Sequence, residues 1–296
     1  MVEGAAHLPG FAGTPPKGGR EAAPAWLKVR RGAGPLIVSI PHAGTDIPPH
    51  LEGRFVSSWI ATRDADWWVD RLYAFAEGLD ATVIATALSR SVIDVNRDPT
   101  GASLYPGQTT TELCPTTTFD GEPLYRPSHA PDTDEIAIRR ELFFDPYHAA
   151  LSEEIDRLRG RHGAVVLYDA HSIRSVVPRL FDGELPVFNI GTNSGASCDP
   201  ALTVAVEAAC AASNLPRVTN ARFKGGYITR RHGAPDAGVH AIQMELACRG
   251  YVSEPADAPS EAAWPTPFDP DFAQPMTATL NDVLQACLDF AARSHP

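Results

Sequence analysis

The sequence is poor in the features that place a protein in a class at first sight. Cysteine is sparse: five in 296 residues, at positions 114, 198, 210, 248 and 287, an odd number with no CxxC pair. That pattern argues against a disulfide framework, a zinc ribbon or an iron–sulfur site, and reduced thiols are expected. Cys210 and Cys287 sit in helical apolar patterns that read as core. No apolar run approaches the roughly 20 residues needed to span a bilayer. Positive charge is short as well, with 25 Lys and Arg against 36 Asp and Glu and a net charge of −11. A general attraction to nucleic acid or an anionic membrane is therefore not expected, and an anionic ligand must be captured by local arginines. The GxSxG, GxxxxGK[ST], strand-coupled GxGxxG and HExxH motifs are all missing, so a serine elbow, nucleotide binding and a single-helix zinc site find no support.

What remains is an ordinary globular composition, 44% hydrophobic and 21% charged, at a length that suits one large α/β domain. The first residues, MVEGAAHLPGFAGTPPKGGREAAPAW, are rich in Pro, Gly and Ala and have neither a basic start nor an apolar run. Residues 1–30 read as a disordered leader before a single catalytic domain at 31–296, and a cytoplasmic location is the default. Oligomeric state is left open, a homo-oligomer included.

Short apolar runs of strand length alternate with helical patterns, which predicts a three-layer α/β/α architecture on a mixed sheet. Strands are expected at Pro35–Ile40, Thr82–Ala87, Ser91–Val95, Ala164–Tyr168, Pro186–Gly191 and Val239–Leu246. Helices are expected at Trp67–Leu79, with Asp64 or Asp66 as cap, at Asp134–Arg159 with a kink or split at Pro146, at Asp199–Ser213 and at Met276–Arg293. Thr100–Arg126 and the basic Arg222–Gly233 read as loops, the first long enough to be a lid or binding loop.

Polar residues gather where apolar runs stop. Pro35–Ile40 runs into Pro41-His42-Ala43-Gly44, and Ala164–Tyr168 runs into Asp169, His171, Ser172 and Arg174. Asp169 and His171 alternate with Ala170 and so share a face, which lets the carboxylate orient the imidazole. Gln243 and Glu245 share a face of the last strand in the same way. His42, Asp64 or Asp66, Asp169 or His171, and Glu245 can converge at one sheet edge. Two histidines and a carboxylate form a facial set for catalytic Zn²⁺, with a further glutamate free to act as general base.

The ordered blocks SIPHAGTDIP (39–48), RDADWWVDRLY (63–73), SRSVIDVNRDP (89–99), LYPGQTTTELCPTTTFDGEPLY (104–125), YDAHSIRSVVPRLFDGELP (168–186), NIGTNSGASCDP (189–200), RFKGGYITRRHG (222–233) and GVHAIQMELACRGY (238–251) resemble the N-formylglutamate amidohydrolase family, over about residues 36–250. The resemblance implies a zinc-carboxypeptidase-like (phosphorylase/hydrolase-like) α/β fold, one Zn²⁺ per chain and hydrolysis of N-formyl-L-glutamate in histidine degradation. Carried over by position, it implies His42, Asp66 and His171 as metal ligands, with Asp64 as the alternative carboxylate, and Glu245 as the catalytic general base. Asp169 and Asp64 are placed behind the ligands. A small-molecule dicarboxylate substrate calls for arginine forks; Arg97 with Asn96, Arg174, and Arg230 or Arg231 lie in the matching blocks. A zinc amidase for another N-acyl amino acid and a metabolite sensor without catalysis remain the rival readings.

Overall fold

The computed structural model describes residues 24–103, 107 and 110–293. Seven strands form one sheet: β1 (Leu27–Arg30), β2 (Leu36–Ile40), β3 (Thr82–Thr86), β4 (Val165–Ile173), β5 (Phe188–Gly191), β6 (Arg217–Thr219) and β7 (Val239–Ala247), in the order β1-β3-β2-β4-β7-β5-β6. β3, β2, β4 and β7 run parallel to one another, while β1 and β5 pair antiparallel with β3 and β7. The sheet is therefore mixed, as expected. β2, β4 and β7 are buried along their whole length, which is the signature of central strands covered on both faces.

The helices are α1 (Pro49–Glu52), α2 (Ser58–Thr62), α3 (Val69–Leu72), α4 (Thr133–Arg139), α5 (Asp145–His162), α6 (Pro200–Ala212), α7 (Tyr227–His232) and α8 (Pro270–Arg293). On one face of the sheet Leu36, Val38 and Tyr168 pack with Leu202 and Val206 of α6 and Leu284 of α8. On the other, Ile37, Leu167 and Ala241 pack with Tyr147, Leu151 and Leu158 of α5. These are the three predicted layers. Cys210 and Cys287 are fully buried within the first core.

Several local expectations are corrected. The leader reading of residues 1–30 overlaps β1: Leu27–Arg30 pairs with β3, and residues 1–23 lie outside the described residues. The helix predicted over Trp67–Leu79 breaks into α3 and a 3-10 turn at Ala74–Leu79. Neither Asp64 nor Asp66 caps it; Trp68 precedes the helix at φ 65°, a left-handed conformation that turns the chain just after Asp66. Ser91–Val95 is not a strand but a folded turn, with Val92 N–H donating to the Ser89 carbonyl and Arg97 N–H to that of Asp94. The Arg222–Gly233 loop contains α7, and α8 starts at Pro270, ahead of the predicted Met276, with Asp269 accepting from the amides of Asp271 and Phe272. The interruption expected at Pro146 is present: a π-helical turn at Arg140–Phe144 joins α4 to α5 just before it.

Candidate metal centre and active-site cleft

The carboxyl ends of β2, β4 and β7 lie side by side, and each delivers a polar group. His42 stands in the Pro41–Gly44 turn after β2. That turn crosses the end of β3 so closely that a Cβ on Gly44 would meet the Ala87 carbonyl carbon at 2.3 Å. His171 of β4 is in register with Glu245 of β7, so ligand and base candidates are separated by one strand spacing of roughly 4.8 Å. Asp66 comes from the loop before α3, tied back by its N–H to the His42 carbonyl at 2.9 Å. His42, Asp66 and His171 are buried, and each offers one ligand atom within 4.8 Å of the others.

The orientation of the two imidazoles shows which nitrogens could face a cation. His42 Nε2–H donates to Asp94 Oδ1 at 2.7 Å, and His171 Nε2 meets Asp169 Oδ2 at 3.0 Å. Each ring is thus held from behind by a carboxylate, which fixes its tautomer and raises the basicity of the opposite nitrogen. Both Nδ1 atoms face Asp66 Oδ2, at 3.7 Å from His42 and 3.1 Å from His171. His42 Nδ1 is buried without a hydrogen-bond partner. A buried nitrogen left in this state costs free energy; a divalent cation shared with Asp66 and His171 would satisfy it, so the residues fit the metal. Asp64 does not compete for the role: its Oδ2 accepts the Phe119 N–H at 2.6 Å, and burial raises its carboxyl above the usual range.

Arg90 and Asp94, which the sequence reading assigned no role, complete the centre. Arg90 donates Nη1 to Asp66 Oδ1 at 3.1 Å and Nη2 to Asp94 Oδ2 at 2.7 Å, which leaves Asp66 Oδ2 turned to the histidines. Ser172 N–H also donates to that oxygen, at 3.1 Å. Although burial opposes it, His171, His42 and Arg90 together hold the Asp66 carboxyl well below the usual carboxylate range. Asp94 is likewise held low by His42 and Arg90, and His171 is raised by Asp169 and Asp66.

Glu245 is the exception among the carboxylates. Burial, assisted by the charges of Asp66 and Asp169, pushes its carboxyl up to about 7, the range that suits a general base at neutral pH. Gln243 donates Nε2–H to Glu245 Oε2 at 3.1 Å while its Oε1 accepts the Gly226 N–H at 2.7 Å. Asn96 locks the same wall: its Oδ1 accepts the Ile228 N–H at 2.8 Å and its Nδ2 lies 3.3 Å from Asp169 Oδ2 and 3.0 Å from His171 Nε2. A Cβ on Gly226 would come within 2.3 Å of Asn96 Nδ2, so only glycine permits this approach.

The cleft in front of the centre is lined by His42, His171, Gln243 and Glu245 together with Phe119, Ile173 and Phe223. Of the arginines expected to bind substrate, Arg97 lines it, with Nε and Nη2 on Thr111 Oγ1 at 3.2 and 3.1 Å. Arg174 does not; it pairs with Asp120 at 2.6 Å and Asp64 at 3.7 Å. Arg230, on α7, donates Nε–H to the Gly225 carbonyl and also stays out of the lining. Arg222, at the start of the same basic block, lines the cleft instead.

Comparison with known proteins bears on the family and the fold. A model of the N-formylglutamate amidohydrolase family matches residues 34–252. The N-formylglutamate deformylase of Pseudomonas aeruginosa is 45% identical over 263 residues, covering 88% of this chain and 96% of that protein. The enzyme of the same name from Pseudomonas putida is 43% identical over 270 residues, covering 91% and 98%. Among solved structures, N-formylglutamate amidohydrolase from Ralstonia eutropha superposes with a TM-score of 0.71 at 24% identity, covering 91% of this chain and 99% of that one. A protein from Agrobacterium tumefaciens gives 0.65 at 19% identity, covering 89% and 93%. These two likenesses speak to the fold.

Proposed function

Given that the chain belongs to the N-formylglutamate amidohydrolase family, we propose that it is a zinc-dependent deformylase converting N-formyl-L-glutamate to formate and L-glutamate, as a step in histidine degradation. The observation that carries the catalytic reading is the convergence of His42 Nδ1, Asp66 Oδ2 and His171 Nδ1 beside a glutamate raised to about 7.

His42, Asp66 and His171 would hold the cation, which when bound supplies a Lewis acid and acidifies a water molecule. Glu245 takes the proton from the attacking water. The nucleophile adds to the formyl carbon, and Glu245 returns the proton to the leaving nitrogen. A group at about 7 is poised to do both, since it is neither a strong acid nor a strong base there. Asp94 and Asp169 hold the two imidazoles in the tautomer that leaves Nδ1 to the metal. Arg97 offers the fork for the substrate's α-carboxylate, because it is anchored beside Asn96 and 3.6 Å from Asp94, next to the centre where the scissile nitrogen must lie.

The test is a substrate panel with metal analysis. Close to one zinc per chain and release of formate from N-formyl-L-glutamate in preference to N-formimidoyl- and N-acetyl-glutamate are expected. Full turnover by chelated, metal-free protein would remove the metal from the mechanism, and a preference for the acetyl compound would move the enzyme to another acyl class.

A further inference from the structure

Among the described residues three guanidinium groups line the cleft, those of Arg90, Arg97 and Arg222, and they are not equivalent. Arg90 is engaged by Asp66 and Asp94 and is 9% exposed. Arg97 is held at the centre by Asp94 and Thr111. Arg222 is held by a different set of partners. It follows β6, donates Nε–H to the Leu180 carbonyl at 2.8 Å, and its guanidinium lies over the Phe223 ring, 5.3 Å from the centroid. A backbone carbonyl on one edge and an aromatic face beneath fix the plane of a guanidinium, so that less freedom is lost when it binds a carboxylate.

Resting on the deformylase reading, we propose that Arg222 is the specificity-determining residue that reads the substrate's side-chain carboxylate. The α-carboxylate of an N-acyl amino acid is attached to the carbon that bears the scissile nitrogen and must stay close to the metal centre, where Arg97 is anchored. The γ-carboxylate of glutamate is two methylenes farther out and needs a second cation at a distance from the centre. Phe119, Ile173, Leu180 and Phe223 supply an apolar lining in the same cleft, which suits those methylenes. The protein carries a net charge of −11, so a dianion gains nothing from its overall field and depends on fixed local cations. Arg174 and Arg230, the alternatives from the sequence, stand outside the cleft lining.

The experiment compares kcat/KM of the zinc-loaded wild type, Arg222→Gln and Arg222→Lys on N-formyl-L-glutamate and on its neutral isostere N-formyl-L-glutamine. The wild type should favour the glutamate compound. Arg222→Gln should lose roughly 10- to 100-fold on that substrate, mainly in KM, the range for a charge-assisted hydrogen bond, and stay within about threefold of wild type on the glutamine compound. Arg222→Lys should recover part of the loss, and it carries the test alone if the glutamine variant does not fold. An equal loss on both substrates, or an undiminished preference for glutamate, overturns the assignment while leaving the deformylase reading intact. A wild type that hydrolyses neither compound overturns that reading, and this inference with it.

Discussion

Asp94 offers the sharpest test of the centre, because it touches no substrate and yet serves two of its parts. Its Oδ1 accepts from His42 Nε2 at 2.7 Å and the Asn96 N–H at 2.9 Å, and its Oδ2 accepts from Arg90 Nη2 at 2.7 Å. Asp94→Asn keeps the shape and removes the charge. One of its two oxygens becomes an amide nitrogen, which cannot accept from either His42 or Arg90. Loss of the carboxylate behind a ligating imidazole costs about 10- to 100-fold in metal affinity, or about 1.4–2.7 kcal/mol. Arg90 keeps Asp66 but loses its second carboxylate. For charges about 4 Å apart at an effective dielectric near 20, that attraction is about 4 kcal/mol before desolvation, and breaking a buried pair costs roughly 3–5 kcal/mol. The metal-free variant should therefore unfold at markedly lower denaturant concentration, and chelator competition should show weaker zinc binding. Zinc affinity equal to wild type in the folded variant would mean that Asp94 does not support His42, and the orientation argument for Nδ1 would fail.

The remaining tests probe separate parts of the chain. Glu245→Gln removes the proton acceptor without changing its size; zinc content should stay near one per chain while kcat falls by about 10²- to 10⁴-fold, measured by formate release. A base must be ionised to act, so kcat/KM should fall as pH drops through an acidic limb at or below 7, because Glu245 lies at about 7 before the cation's charge draws it lower; a profile flat from pH 5 to 8 would contradict its role. His148, half-buried, and His232, buried, form a pair, 3.0 Å between Nδ1 and Nε2, with burial lowering them to about 4 and about 3. Their contribution is complete above the unfolded value of about 6.5 and is lost as pH falls towards 4, so at pH 5 His148 alone costs about 2 kcal/mol of stability. Denaturant unfolding at pH 7 and pH 5 measures this, and His148→Asn should flatten the dependence.

How much of this was legible in the sequence depended on periodicity. β4 and β7 announce themselves as apolar runs, and period-2 alternation alone put Asp169 with His171 and Gln243 with Glu245 on common faces, as their register confirms. Segment 89–97 misled for a physical reason. SVIDV has the composition of a strand, but Arg90, Asp94 and Asn96 are drawn inward by the carboxylates and imidazoles they serve, and those partners lie 24, 52 and 75 residues away in the chain. Local propensity cannot report such partners. The same limit applies to the arginines: Arg174, Arg222 and Arg230 look alike in sequence, and only the fold brings Arg174 to Asp120 and Arg222 to the cleft.

The parallel pairing of β4 with β7 gives the site a further constraint. Because neighbouring parallel strands advance together, the proposed ligand on β4 and the proposed base on β7, at matching register, keep a fixed lateral spacing whatever the loops do. His171 and Glu245 occupy such a pair, and Asp169 and Gln243, two residues earlier, form the pair beneath it. That lower pair holds the upper one from behind: Asp169 braces His171 and Gln243 braces Glu245. His42 and Asp66 have no such ladder and are held instead by Arg90, Asp94 and a backbone hydrogen bond between them. The rigid half of the centre is thus set by the sheet, and the half built from loops depends on a buried ion network. Substitutions in that network should therefore weaken metal binding before they disturb the alignment of Glu245.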